Sequence, residues 1–215
     1  MFGIEHLLPC PVSAPNPNDY SKSSEAELKE FRTLEELMKE VSEIDCPLRH
    51  AAKNTVFSDG NPDSGIMFIG EAPGKDEDEQ GKPFVGQSGQ LLNEMLRAVG
   101  LRRNEVYITN IVFWRPPGNR TPSADEISIC LPYVRKQIAI IRPRVIVLLG
   151  SVAIQALLET RSSVASIRGR PHLISGIPVI PTYHPAYLLR SPGQKSLAFQ
   201  DFLRIARNLK SSYGC

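Results

Sequence analysis

Three side chains suited to proton transfer or directed hydrogen bonding stand on apolar runs or at their ends: Glu71 after "IMFIG", Asn110 within "VYITNIVFW" and His184 closing "IPVIPTYH". A carboxylate takes a proton or opposes a positive charge, an imidazole changes protonation near neutral pH, and a carboxamide offers a donor beside an acceptor. Phe84, in the stiff frame "PFVG", adds a flat apolar face. Glu71 lies in "GEAPG", where glycines allow close approach and proline stiffens the turn, so its carboxylate is held in place. Each feature also has a plain structural reading: a surface turn for "GEAPG", core packing for Phe84, a loop-capping amide for Asn110 and a structural imidazole for His184. His6, His50 and His172 lack a comparable setting, His172 falling in the expected turn "GRPHL".

The elements that must position these groups follow from periodicity. Four runs rich in β-branched residues, at 66–70, 106–114, 145–150 and 177–184, read as buried strands. Between them lie helical patterns: Leu91, Leu92, Met95, Leu96 and Val99; Ile127, Leu131, Val134, Ile138 and Ile141; and Val152 to Leu158. A last helix is expected from Leu197 to Leu209. Continuous apolar strands alternating with helices predict a three-layer α/β/α fold around a central four-stranded parallel sheet. Ligands in such sheets sit beyond the carboxyl ends of the strands, where Glu71 and His184 fall. Residues 1–23 read as a loose tail and 24–215 as one domain, opening on an amphipathic helix from Ser24 to Ile44 that can restart at a capping box of Thr33 and Glu36.

Composition narrows the function classes. A net charge of +2 is too mild to require a nucleic-acid partner, so any such partner rests on where the arginines lie. The four cysteines, Cys10, Cys46, Cys130 and Cys215, form no C-x-x-C pair, against both a zinc site and a disulfide framework; reduced thiols in a cytoplasmic protein are the expectation. The longest apolar runs fall far short of the roughly 20 residues that span a bilayer, and no basic-then-apolar leader is present, so neither export nor membrane insertion is expected. "GEAPG" is a poor phosphate cradle, because no G-x-x-x-x-G-K-[ST] follows and its glutamate repels phosphate. Five acidic residues within 71–79 include Asp76, Asp78 and Glu79, read as a solvated face.

Four long segments, "GEAPGKDEDEQGKPFVGQSGQLL", "VYITNIVFWRPPGNRTPSADEI", "RPRVIVLLGSVA" and "TYHPAYLLRSP", resemble in order the motifs of family-4 uracil-DNA glycosylases over roughly residues 43–210. The resemblance implies a monofunctional enzyme that flips uracil out of single- or double-stranded DNA and hydrolyses its glycosidic bond, leaving an abasic site. Position by position, Glu71 resembles the carboxylate acting at the sugar and its water, and His184 the histidine facing the base. Ala72 by its backbone, Glu77, Phe84 as stacking ring and Asn110 as edge-reading amide would bind uracil. Arg120 with Thr121 and Arg190 with Ser191 are expected on phosphates, and Leu188 or Leu189 in the gap left by the flipped base, with helix packing the alternative for the leucines.

The chain departs from that family at an inorganic staple. Most relatives hold a [4Fe-4S] cluster on four cysteines, whereas here Glu43 and Trp114 stand at two of those positions and only Cys46 and Cys130 remain. Cluster iron needs four thiolates or credible substitutes, so no cluster and no other metal is expected, with Trp114 filling apolar volume. The "PPGNRTPS" loop carries no basic insertion and no histidine, which favours turnover over the covalent trapping of a related branch. A monomer is expected, and a non-catalytic binder of uracil-containing or abasic DNA is the competing reading.

Overall fold

The computed structural model describes residues 31–210, with side chains through 207. The first helix, α1 (Leu34–Glu43), starts where Thr33 Oγ1 accepts the Glu36 N–H at 3.2 Å, while the Glu36 carboxylate reaches past Thr33 to the Arg32 N–H at 2.9 Å. The expected stretch 24–30, like the tail and Cys10 and Cys215, lies outside the described residues.

The sheet is built on β2 (Ile66–Gly70), β3 (Tyr107–Asn110), β4 (Val145–Leu149) and β6 (Ile177–Thr182), parallel in the order β3-β2-β4-β6. These are the four strands expected. Two short antiparallel strands extend the edges: β1 (Asp59–Gly60) beside β3 and β5 (His172–Ile174) beside β6. His172 therefore belongs to a strand rather than a turn.

Alternation along β2 feeds two cores. Met67 and Ile69 pack with α1, α2 (Pro47–Ala51), α5 (Ala124–Ile141) and α6 (Ser151–Leu158), while Ile66 and Phe68 pack with α4 (Gln87–Ala98) and α9 (Lys195–Lys210). β2 and β4 are buried along their whole length because both faces of the sheet centre are covered.

The run 106–114 behaves differently from its expected single strand. Pairing ends at Asn110, and Ile111 to Trp114 bend away, held by Ile111 N–H to the Gly70 carbonyl at 3.0 Å and Val112 N–H to the Glu71 carbonyl at 3.2 Å. These residues are apolar because α1, α2 and α5 bury them, a demand that does not require sheet pairing.

Chain order reverses at β2, since β3 lies on one side of it and β4 on the other. The crevice beyond this switch point is where open α/β sheets place ligands. It opens between the turn after β2, with Glu71 and Ala72, and the turn after β4, with Gly150 and Ser151.

Candidate active site

A cavity of about 1000 Å³ occupies that crevice, lined by Glu71, Ala72, Glu77, Phe84, Thr121, His184 and Arg190 among others. Gly70 explains how its deep end closes. A Cβ there would lie 2.4 Å from Asn110 Oδ1 and 2.5 Å from Phe84 Cζ, so only a hydrogen lets the amide and the ring converge on the end of β2.

Asn110 sits just behind the cavity wall, 1% exposed, with neither amide atom hydrogen-bonded among the described residues. Leaving such a group unpaired costs about 1–3 kcal/mol. Phe84 stands in front at φ +52°, a left-handed backbone unusual for a bulky residue.

The loop carrying Phe84 is clamped from two sides. Arg103 Nη1 donates to the Phe84 carbonyl at 2.7 Å, its Nη2 donates to the Pro83 carbonyl, and its Nε donates to Asp59 of β1 at 2.7 Å. From the cavity side, the Glu77 carboxylate accepts the N–H groups of Gly74, Val85 and Gly86 at 3.0, 2.8 and 2.8 Å. Glu77 thereby ties the "GEAPG" turn, through α3 (Lys75–Gln80), to the "PFVG" loop. Asp78, expected on a solvated face, is buried and accepts the backbone N–H groups of Lys53 and Asn54 at 2.8 and 3.0 Å.

Glu71 titrates above the ordinary carboxylate range because burial penalises its charge, an effect opposed by a Thr121 hydrogen bond and the Arg190 charge. His184 is the N-cap of α8 (Pro185–Arg190), and its Nδ1 accepts the Ala186 N–H at 3.1 Å. An accepting Nδ1 puts the proton on Nε2 in the neutral ring. Burial, helped by Arg190, lowers the His184 pKa to about 4, so at neutral pH it is an uncharged donor. Its ring lies 5.4 Å from that of Phe84, tilted by 32°. Gly150, at φ +89°, gives it room, since a Cβ there would lie 2.8 Å from the His184 Cβ.

The profile of the Uracil DNA glycosylase superfamily matches residues 57–208, a stretch that contains all of these groups. The chain is 47% identical to the type-4 uracil-DNA glycosylase of Thermotoga maritima over 166 residues, covering 74% of this chain and 86% of that one. It is 43% identical to the type-4 enzyme of Pyrobaculum aerophilum over 182 residues, 79% of this chain and 92% of that one. The type-5 uracil-DNA glycosylase of the same organism is 29% identical over 173 residues, 73% and 75% of the two chains. The chain belongs to the type-4 uracil-DNA glycosylases.

For this type-4 chain the expected DNA-contacting residues separate by environment. Arg190 and Thr121 act on Glu71 as well as lining the cavity. Arg120 also lines it, yet its guanidinium makes two hydrogen bonds to Glu126, at 2.8 and 2.6 Å. Ser191 caps the end of α8 through its N–H to the Tyr187 carbonyl at 2.8 Å. Leu188 is fully buried against Tyr183 and Ala198, so it cannot enter DNA, whereas Leu189 is 42% exposed and lines a smaller adjoining cavity of about 380 Å³.

The residues at the cluster positions do not fit iron. Cys46 and Cys130 are fully buried beside each other, and their interaction draws Cys46 down to about 7 while it and burial push Cys130 up. Glu43 is exposed. Trp114 is buried, donates from Nε1 to Thr55 Oγ1 at 3.0 Å and meets Phe113 edge-on at 6.0 Å, and indole offers no thiolate. Among the described residues no three His, Cys, Asp or Glu side chains gather to hold a metal ion, and no helix is long and apolar enough to cross a membrane.

Sequence reasoning did not single out Arg103, Asp59 or Gly150. Arg103 contacts the loop through backbone carbonyls, which leave no residue-type signature. The only hint of Gly150 was its place directly after the apolar run that forms β4.

Proposed function

We propose that the chain excises uracil from single- or double-stranded DNA as a monomer, by hydrolysing the N-glycosidic bond without a covalent intermediate. The observation that carries this reading is the unpaired amide of Asn110, buried behind Phe84 at the end of the sheet where His184 presents an N–H. Uracil offers the complement, an N3–H for Oδ1 and a carbonyl oxygen for the amide N–H, whereas cytosine presents an acceptor and an amino donor in those places and is rejected.

Extrusion of the nucleotide costs a few kcal/mol, offset by stacking on Phe84 and by these hydrogen bonds, with the Ala72 backbone beside the base. The C1′–N1 bond breaks with its electron pair leaving on uracil, a water oxygen bonds to C1′, and the water's proton passes to the Glu71 carboxylate. While still ionised, Glu71 also opposes the positive charge gathering on the sugar. His184 Nε2–H bonds the uracil carbonyl oxygen on which negative charge collects. Both contacts strengthen as charge develops, which is what accelerates a reaction. Glu77 serves by holding the two walls, since three backbone donors occupy its carboxylate. Leu189 occupies the gap left in the duplex, and Arg190 and Thr121 face the strand.

The reading includes folding and activity without an iron-sulfur cluster, with Trp114 packed where relatives carry a ligand. A uracil-containing oligonucleotide incubated with the protein and then treated with alkali breaks at the uracil; binding without breakage would support the non-catalytic alternative instead. Anaerobically purified protein shows no broad absorbance near 400 nm, and about four irons per chain would overturn the cluster-free reading.

A further inference from the structure

Cavities for drug-sized ligands run from about 300 to 1000 Å³, so a single pyrimidine leaves much of this one unfilled. Tyr183 and Tyr187 are among the other residues that line it, and Val164, which opens α7 (Val164–Ile167), packs against the cluster that holds Tyr183.

Tyr187 stacks on Tyr183 with centroids 5.3 Å apart and planes 22° from parallel. The Arg168 guanidinium lies 5.9 Å over the Tyr183 ring and is fixed by two hydrogen bonds of 3.0 Å to Asp201. Asp201 is fully buried and also accepts the Thr182 hydroxyl at 2.8 Å. The stack is therefore anchored in the interior at one end. Core packing accounts for Tyr183, 8% exposed; it does not account for Tyr187, a large ring 38% exposed on the wall of a ligand cavity.

We propose that Tyr187, backed by Tyr183 and Arg168, is a second stacking subsite that takes the nucleobase next to the flipped uracil on the same strand. The inference rests on the glycosylase reading. A preformed aromatic face gains stacking energy with little ordering cost, and because every base has a π face the subsite holds the strand without reading its sequence. It matters most on single strands, where the neighbouring base has no partner of its own.

The test is a cycle between Tyr187→Leu and a single-stranded substrate in which a baseless tetrahydrofuran spacer replaces the nucleotide on one side of uracil, then on the other. Removing the base raises the wild-type KM about five- to tenfold on one side, the low end of stacking energies for a half-exposed ring. In Tyr187→Leu that penalty disappears, and Tyr187→Phe restores it, because the stack needs no hydroxyl. A spacer penalty equal in wild type and Tyr187→Leu, or none on either side, overturns the subsite while uracil release leaves the glycosylase reading intact. Absence of uracil release from the unmodified oligonucleotide overturns both. As a readout on the unaltered protein, 2-aminopurine beside uracil is quenched on binding; unchanged emission at saturation rejects the stack.

Discussion

The base pocket and the patch around Trp114 are both built on the run 106–114, and they treat polar groups in opposite ways. At Asn110 the chain buries a donor and an acceptor that find no partner among the described residues, and at His184 it spends one ring nitrogen on a helix cap and leaves the N–H of the other toward the cavity. Four residues beyond Asn110 the indole N–H has Thr55, the two buried thiols lie against each other, and apolar side chains pack around them. Among the described residues Tyr107 and Gln137 also bury unpaired polar atoms, so unspent capacity marks a place prepared for a ligand only where, as at Asn110, it meets the cavity-lining Phe84 at the end of β2.

The largest effect expected from this contrast is on stability. Trp114→Ala removes a fully packed indole and costs about 3–5 kcal/mol, lowering the melting temperature by roughly 10 °C while the folded fraction keeps its rate. A melting point within a degree of wild type would show that the patch is not packed as described. Next come Glu71→Ala and His184→Ala, each expected to slow single-turnover uracil release by 10²-fold or more without a matching loss of stability. Unchanged rates in both would remove the chemistry from this pocket.

Asn110→Asp replaces the donor half of the amide with a second acceptor. It weakens kcat/KM for uracil tenfold to a hundredfold, on the scale of about 1–3 kcal/mol for a mispaired buried polar group, and narrows the preference over cytosine in parallel assays. Arg103→Gln releases the carbonyls of the Phe84 loop and raises KM by about tenfold, consistent with the ~1.5–3 kcal/mol of hydrogen bonds to a charged group, with Arg103→Lys recovering part. A change confined to melting temperature would make the clamp structural only.

The smallest effect is in the pH profile. Glu71, raised by burial, must lose its proton to act, so the rate climbs with pH through a point above the ordinary carboxylate range. His184, at about 4, is already neutral above pH 5 and adds no inflection between pH 6 and 7, and a fall in rate centred there would mean that the imidazolium is the working form.

How far the sequence could be read depended on whether a signal was local. The four parallel strands announced themselves because burial on both faces demands unbroken apolar runs, and α5 because of its periodicity. Ile111 to Trp114 carried the same signal for another reason, burial under helices, and composition cannot separate the two. Strands β1 and β5 are too short to leave a pattern. Glu71, Phe84, Asn110 and His184 were legible as chemistry at strand ends or in stiff turns, and the structure gathers them at one end of the sheet. Leu188 and Leu189 could not be told apart, since a six-residue helix leaves its phase undefined until Tyr183 and Ala198 are in place. Arg103 was invisible because Asp59 lies 44 residues away and its other partners are peptide carbonyls.

At Gly70 one backbone position serves two contacts at once. Any side chain there pushes against the reading amide and the stacking ring together. A search for altered base preference that randomises Asn110 or Phe84 can change one property at a time, but a substitution at Gly70 disturbs both. The narrowest route to a new specificity therefore runs around this codon, through neighbours that can yield separately.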